Sequence, residues 1–135
     1  MTGTQGSGGG AGRVSARELA LAAARAAAAK QAEGVVILDV HELIVITDYF
    51  VICSAPTQRQ VKTVIEAVED GLRAIGERPL RREGEDGAGW WLLDYVDAVV
   101  HVFGTEERQY YDLERLWSDA PRLEWSERPG VASGE

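Results

Sequence analysis

Residues 90–117 read WWLLDYVDAVVHVFGTEERQYYDLERLW, and the fold turns on this stretch. Residues 90–94 and 98–103 are two short runs of aromatic and branched side chains. Only Tyr95, Val96 and Asp97 lie between them. That gap is too short for a crossover, so an antiparallel hairpin is expected. Alternation along a strand sends Trp90 and Trp91 to opposite faces and puts His101 on one face with Val99 and Phe103. Thr105 is then expected to cap a last helix over 106–117. In that helix Tyr110, Leu113 and Trp117 share a stripe, with Tyr111 and Glu114 beside it and Arg108 on its flank.

Working upstream, GEDGAG at 84–89 is a glycine-rich loop and 80–83 a short strand. Thr57 and Gln60 form a T-x-x-Q capping box. The helix after it carries Val61, Val64, Ile65, Val68, Leu72 and Ile75 at the 3.6-residue period, until Gly76 and Pro79 end it. VVILDV at 35–40 and DYFVICS at 48–54 are strands, and 41–47 between them reads as a strand extension or a turn. Ser15 and Glu18 open an alanine-rich helix over 15–33, with Gly34 as its stop. The order α-β-β-α-β-β-β-α predicts an α/β (α+β) fold, a mixed sheet of about five strands with helices packed on it.

Residues 1–13 contain six glycines and are expected to be disordered. Residues 14–118 are expected to form a single domain, and 119–135, rich in Pro, Gly and charge, a flexible tail. The chain of 135 residues has 22 acidic and 14 basic side chains, a net charge of −8. A binder of naked nucleic acid needs the opposite bias, so DNA is not an expected partner. The charge suits a basic protein partner, or serves solubility alone. Cys53 is the sole cysteine, which excludes an internal disulfide and fits a reducing, cytoplasmic setting with a buried structural thiol. No apolar run approaches the ~20 residues that span a bilayer, and residues 1–13 lack the charged and apolar regions of a secretory signal, so none is expected.

Catalysis finds little support. Asp39, Asp48, Asp94 and Asp97 fall at strand ends, where carboxylates can hold divalent metals. Neither a P-loop nor G-x-G-x-x-G accompanies them, so turn and cap roles are the simpler reading. His41 and His101 are the only histidines and have no partners for a zinc site. A hydrolase elbow is absent too. No enzyme, metal or cofactor is therefore expected. The aromatics stand out: seven of the ten fall within these 28 residues. Trp, Tyr and Arg dominate interface hot spots, although aromatics equally complete small cores.

The residues Trp90, Asp94, Asp97, Val99, Val100, His101, Arg108, Tyr111, Leu113, Glu114, Leu116 and Trp117 closely resemble the signature of the ribosomal silencing factor family, also called Iojap or RsfS. Upstream, Thr47, Asp48, Phe50, Val51, Ile52, Arg59, Gln60 and Val61 match the family's T-D-x-F-V-I segment and helix start. Arg82, Glu83 and Gly84 match the step before the tryptophan strand. The resemblance covers roughly residues 15–118. One departure is Val96, where many members have glycine.

The resemblance implies a nucleotidyltransferase-like fold without catalytic residues. It implies binding to the large ribosomal subunit through a conserved basic ribosomal protein (universal L-fourteen). It further implies steric blocking of subunit joining under nutrient limitation, and a homodimer when free. On this reading the partner-binding residues are Asp48, Trp90, Asp94, Asp97, His101, Arg108, Tyr110, Tyr111 and Glu114. Two rival readings are a divergent metal-dependent nucleotidyltransferase using Asp48 and Asp94, and a homodimeric adaptor that buries the aromatics in its own interface.

Overall fold

The structure is a computed structural model that describes residues 14–85 and 87–125. Residues 1–13, expected to be disordered, lie outside the described residues. The elements are α1 (Ala16–Ala29), β1 (Glu33–Asp39), β2 (Tyr49–Ala55), α2 (Gln58–Arg73), β3 (Arg81–Glu83), β4 (Trp90–Asp94), β5 (Ala98–Gly104), α3 (Thr105–Tyr111) and α4 (Leu113–Leu116). The strands form a five-stranded sheet in the order β1-β2-β5-β4-β3. Only β2 and β5 run parallel; the other pairs are antiparallel. The mixed sheet matches the expectation, and β4–β5 is the hairpin read from sequence.

The two sheet faces follow from strand register. Ile37, Val51, Val100 and Leu93 lie across one row. They join Val61, Val64, Ile65, Val68 and Leu72 of α2, and Leu19, Ala20, Ala23, Ala24 and Ala27 of α1, in the main core. The alanines keep α1 slim enough to lie close on the sheet. Burying each branched side chain contributes about 1.5–3 kcal/mol. On the other face the rows are Val36–Ile52–His101–Leu92 and Leu38–Phe50–Val99–Asp94, with Phe103 opposite Trp90. Among the described residues this face is covered by Ile44, α3, α4 and the segment after them.

Several expected boundaries move. The Ser15 capping box is complete, with Glu18 N–H donating to the Ser15 hydroxyl and the Glu18 carboxylate accepting from Ser15 N–H. Yet α1 stops at Ala29, because Gln31 turns into the left-handed region at φ 68° and the chain enters β1 at Glu33. Gly34 therefore does not stop the helix. It sits in an irregularity of β1, where an added Cβ would lie 2.8 Å from Arg108 Nη1. The second capping box is half made. The Thr57 hydroxyl accepts from Gln60 N–H, but the Gln60 amide reaches the Gln31 carbonyl at the end of α1 instead.

Residues 41–47 form a turn, not a strand extension. The last helix is two, because Asp112 adopts φ 51°, a conformation that Asp tolerates better than most residues. Thr105 does not cap it. Gly104 holds the N-cap position, and the Thr105 hydroxyl donates to Glu33 Oε1. The expected tail also starts too early. Residues 119–125 line the outer edge of β1: Asp39 N–H donates to the Pro121 carbonyl, Leu123 N–H to the Ile37 carbonyl, and Trp125 Nε1–H to the Val35 carbonyl. The folded unit thus reaches Trp125.

Candidate functional site

The aromatic residues of 90–117 divide by strand parity. Trp91 turns to the helix side and is buried in the main core, with the Arg82 guanidinium 4.9 Å from its ring centre. Tyr95 is buried there as well. The second face receives Trp90, His101 and Phe103. Their rings continue into Tyr111, 4.6 Å from Trp90, and then Tyr110, 5.1 Å from Tyr111. In the other direction Phe50 packs edge-on against His101 at 5.0 Å and against Trp117 at 5.6 Å. An unbroken line of rings thus runs from Trp117, packed in the second core, to Tyr110, which is 82% exposed. Beside Trp90 is an open recess of about 260 Å³ lined by Glu83, Gly84, Trp90 and Leu92.

His101 is fixed within this line. Trp90 Nε1–H donates to His101 Nδ1 at 3.2 Å. Indole nitrogen only donates, so Nδ1 accepts and the imidazole proton resides on Nε2. Burial pushes the His101 pKa down to about 4, so the ring is neutral at pH 7. Nε2 is buried and has no partner among the described residues. This arrangement suits a packed ring and not a proton-transfer base, whose pKa belongs near the working pH. Cys53 is likewise inert: burial raises its thiol to about 12, and the nearby Arg108 charge offsets this only in part.

Arg108 binds the site together. Its Nε–H and one Nη2–H reach the two oxygens of Glu114 at 3.0 and 3.1 Å. Its remaining N–H groups reach the Glu33 carbonyl at 2.9 Å, the Ser54 hydroxyl at 3.1 Å and the Gly34 carbonyl at 2.7 Å. A guanidinium offers five N–H donors, and these contacts use all five. Arg108 thereby ties α3 to β1, β2 and α4, and sets where Tyr110 and Tyr111 stand. The stripe expected from one continuous helix is not formed. The break at Asp112 turns Tyr111 toward the sheet, leaves Tyr110 outward, and lets Glu114 fold back onto Arg108.

The carboxylates gather at a different place, the end of the sheet where β2 and β5 begin. Asp48 N–H and Tyr49 N–H both donate to the Asp97 carbonyl. Asp94 pairs with Arg81 at 2.9 Å and accepts from Val96 N–H at 2.8 Å. Asp97 N–H donates to the Tyr95 carbonyl, closing a three-residue γ-turn around Val96 at φ 73°. Val96 thus takes the positive φ that glycine adopts easily. Among the described residues no group of three or more His, Cys, Asp or Glu side chains is placed to hold a metal. A cleft of about 450 Å³ lies elsewhere, at the start of α2 and α3, with Lys62, Glu106 and Glu107 among its lining.

The structure therefore brings Trp90, His101, Tyr110 and Tyr111 together, and Arg108 with Glu114. Asp48, Asp94 and Asp97 form a second group at the sheet end. Phe50 and Phe103 belong to the ring line but were not among the expected partner-binding residues. Alternation in 48–54 and 98–103 carries the signal, since both share parity with His101 once the strands are in register.

The domain is a small α/β unit with one helix-covered sheet face and one face lined by aromatic rings. The chain belongs to the ribosomal silencing factor (RsfS) family: the family described as "Ribosomal silencing factor during starvation" matches residues 13–134. It is 41% identical over 99 residues to the ribosomal silencing factor RsfS of Bacillus subtilis, covering 73% of this chain and 84% of that one. It is 40% identical over 111 residues to RsfS of Halalkalibacterium halodurans, covering 82% and 95%. A crystal structure of a Chromobacterium violaceum protein superposes with a TM-score of 0.75 at 25% identity, covering 90% of this chain and 98% of that one. The family acts on ribosomes without enzymatic chemistry, and the chain is a non-enzymatic silencing factor on that basis. Among the described residues no helix is long and apolar enough to cross a membrane.

Proposed function

We propose that the chain is a cytoplasmic translational repressor that docks on the large ribosomal subunit through its aromatic face and sterically blocks joining of the small subunit under nutrient limitation. The partner is a basic ribosomal protein, universal L-fourteen, and the free protein is a homodimer. The observation that carries this reading is the ring line ending in Trp90, Tyr111 and Tyr110 at the rim of the second face. Such side chains are rigid, large and partly apolar, the properties of interface anchors. Asp48, Asp94 and Asp97 supply acidic groups for a basic partner, His101 packs behind Trp90, and Arg108 and Glu114 hold α3 in place. The mechanism needs only occupancy of a surface that the small subunit must approach.

Separated ribosomal subunits are mixed with and without the protein and resolved on a gradient. Assembled ribosomes are expected to fall as protein is added; undiminished assembly refutes the reading. Tyr110→Ala removes an exposed ring without disturbing the core. It is expected to weaken co-sedimentation with large subunits by about tenfold or more, the scale of an interface aromatic. Trp90→Ala is expected to weaken it further.

A further inference from the structure

The end of the sheet beside the carboxylates carries an apolar surface that the aromatic face does not include. The turn between β1 and β2, the γ-turn between β4 and β5, and the approach to β3 all meet there. Val40 N–H donates to the Asp48 carbonyl, Asp48 N–H to the Asp97 carbonyl, and Leu80 N–H to the Asp94 carbonyl. From these segments project Val45, fully exposed, Ile46, 76% exposed, and the exposed side chains of Leu43, Leu80 and Val96. The β1–β2 turn is anchored. Leu43 N–H and Ile44 N–H both donate to the Val40 carbonyl, and Ile44 packs into the second core near Phe50 and Trp117. Of the run LIVI, one side chain is thus turned in and three are held out.

A single exposed aliphatic residue needs no explanation, but five at one sheet end do. They amount to a surface on the order of 500 Å², the upper range of what monomers expose, where such patches are often functional. The row Phe50–Val99–Asp94 lies between this surface and the aromatic face, with Phe50 and Val99 buried in the second core. The rim of the surface carries Glu42, Asp48 and Asp97. Arg81 is engaged by Asp94 and Glu83.

We infer that this end is a second docking surface, and that its occupant is a basic protein segment of the large subunit bearing an apolar side chain. The contact is then bipartite, with aromatic anchors on the sheet face and aliphatic ones at the sheet end. Charge favours this occupant over a second copy, which would set acidic rim against acidic rim. Area agrees: a stable dimer buries roughly 800 Å² per partner, more than this patch offers. An anionic lipid surface meets the same repulsion. The inference rests on the docking proposed above, and its test separates the two.

The double variant Val45→Ser, Ile46→Ser is compared with the parent and with Tyr110→Ala in co-sedimentation with purified large subunits. Free proteins are followed by sedimentation velocity and thermal melting. The double variant is expected to bind about tenfold more weakly, from losing two buried aliphatic side chains. Its melting temperature is expected to stay unchanged, since both residues are exposed. If it binds as tightly as the parent while Tyr110→Ala is weakened, the second surface is refuted and the docking proposal stands. If the parent itself does not bind, both fall. If the free parent is a dimer that the double variant breaks, the occupant is a second copy and the inference is overturned.

Discussion

Replacing Arg108 with alanine tests the organisation of the second face most directly. The side chain makes five hydrogen bonds, two of them to the carboxylate of Glu114. Breaking a buried ion pair by removing one partner costs about 3–5 kcal/mol. Here the two side chains are 15% and 24% exposed, so solvent screens part of that loss. Arg122, 3.5 Å from Glu114, compensates a further part. Three uncharged acceptors lose their donors, each about 1 kcal/mol and not additive. The net expectation is a destabilisation of about 3 kcal/mol. In a domain of this size each kcal/mol moves the melting temperature by about 4–8 °C, so a drop of roughly 15 °C is expected. Urea unfolding followed by tryptophan fluorescence measures the effect through the midpoint at constant slope. Arg108→Lys keeps the charge but not the planar fork, and is expected to recover less than half of the loss. A loss below about 0.5 kcal/mol for alanine, or a lysine variant equal to the parent, refutes the clamp.

Two further outcomes follow from single residues. His101 is neutral in the fold because burial holds its pKa at about 4, against 6.5 when unfolded. The unfolded chain therefore binds the extra proton between these values, and stability falls as pH drops from 6.5 toward 4, by about 3 kcal/mol in total at 1.36 kcal/mol per unit. His101→Gln is expected to remove about one proton from that slope; identical slopes for variant and parent would contradict the burial. Val96→Gly relieves a branched residue held at φ 73°. The relief of about 1–2 kcal/mol exceeds the entropic cost of glycine, about 0.5–1 kcal/mol, so a slightly higher urea midpoint is expected and a lower one counts against strain in the turn.

Period and parity made most of the sheet legible. Alternation placed Trp90 against Trp91 and His101 with Phe103, and the stripe from Val61 to Leu72 matched the buried face of α2. The features that escaped depend on contacts distant in sequence. The helix after Gly104 breaks at Asp112, and the Arg108–Glu114 pair that spans the break is itself joined to Glu33, 75 residues away. The segment at 119–125 looked like a polar tail because its packed side chains, Ala120, Leu123 and Trp125, stand among Pro, Arg and Glu and fit no single period. LIVI at 43–46 left a strand extension and a turn both open; the turn forms, and of its four side chains only Ile44 is packed. For the candidate site, residue types pointed to binding over catalysis. Which carboxylates and aromatics stand together depended on strand order, since β2 lies between β1 and β5.

The segment closing the outer edge of β1 has a consequence for how the chain is made. Trp125 reaches back across 90 residues to Val35. Synthesis runs from the N-terminus, so β1 exists long before the residues that cover it. Throughout that interval its unpaired N–H and carbonyl groups form an open edge able to recruit a strand from another chain. A nascent chain halted before residue 120 is therefore sticky along β1, and residues 119–125 act as a closing seam that makes the finished domain safe to release.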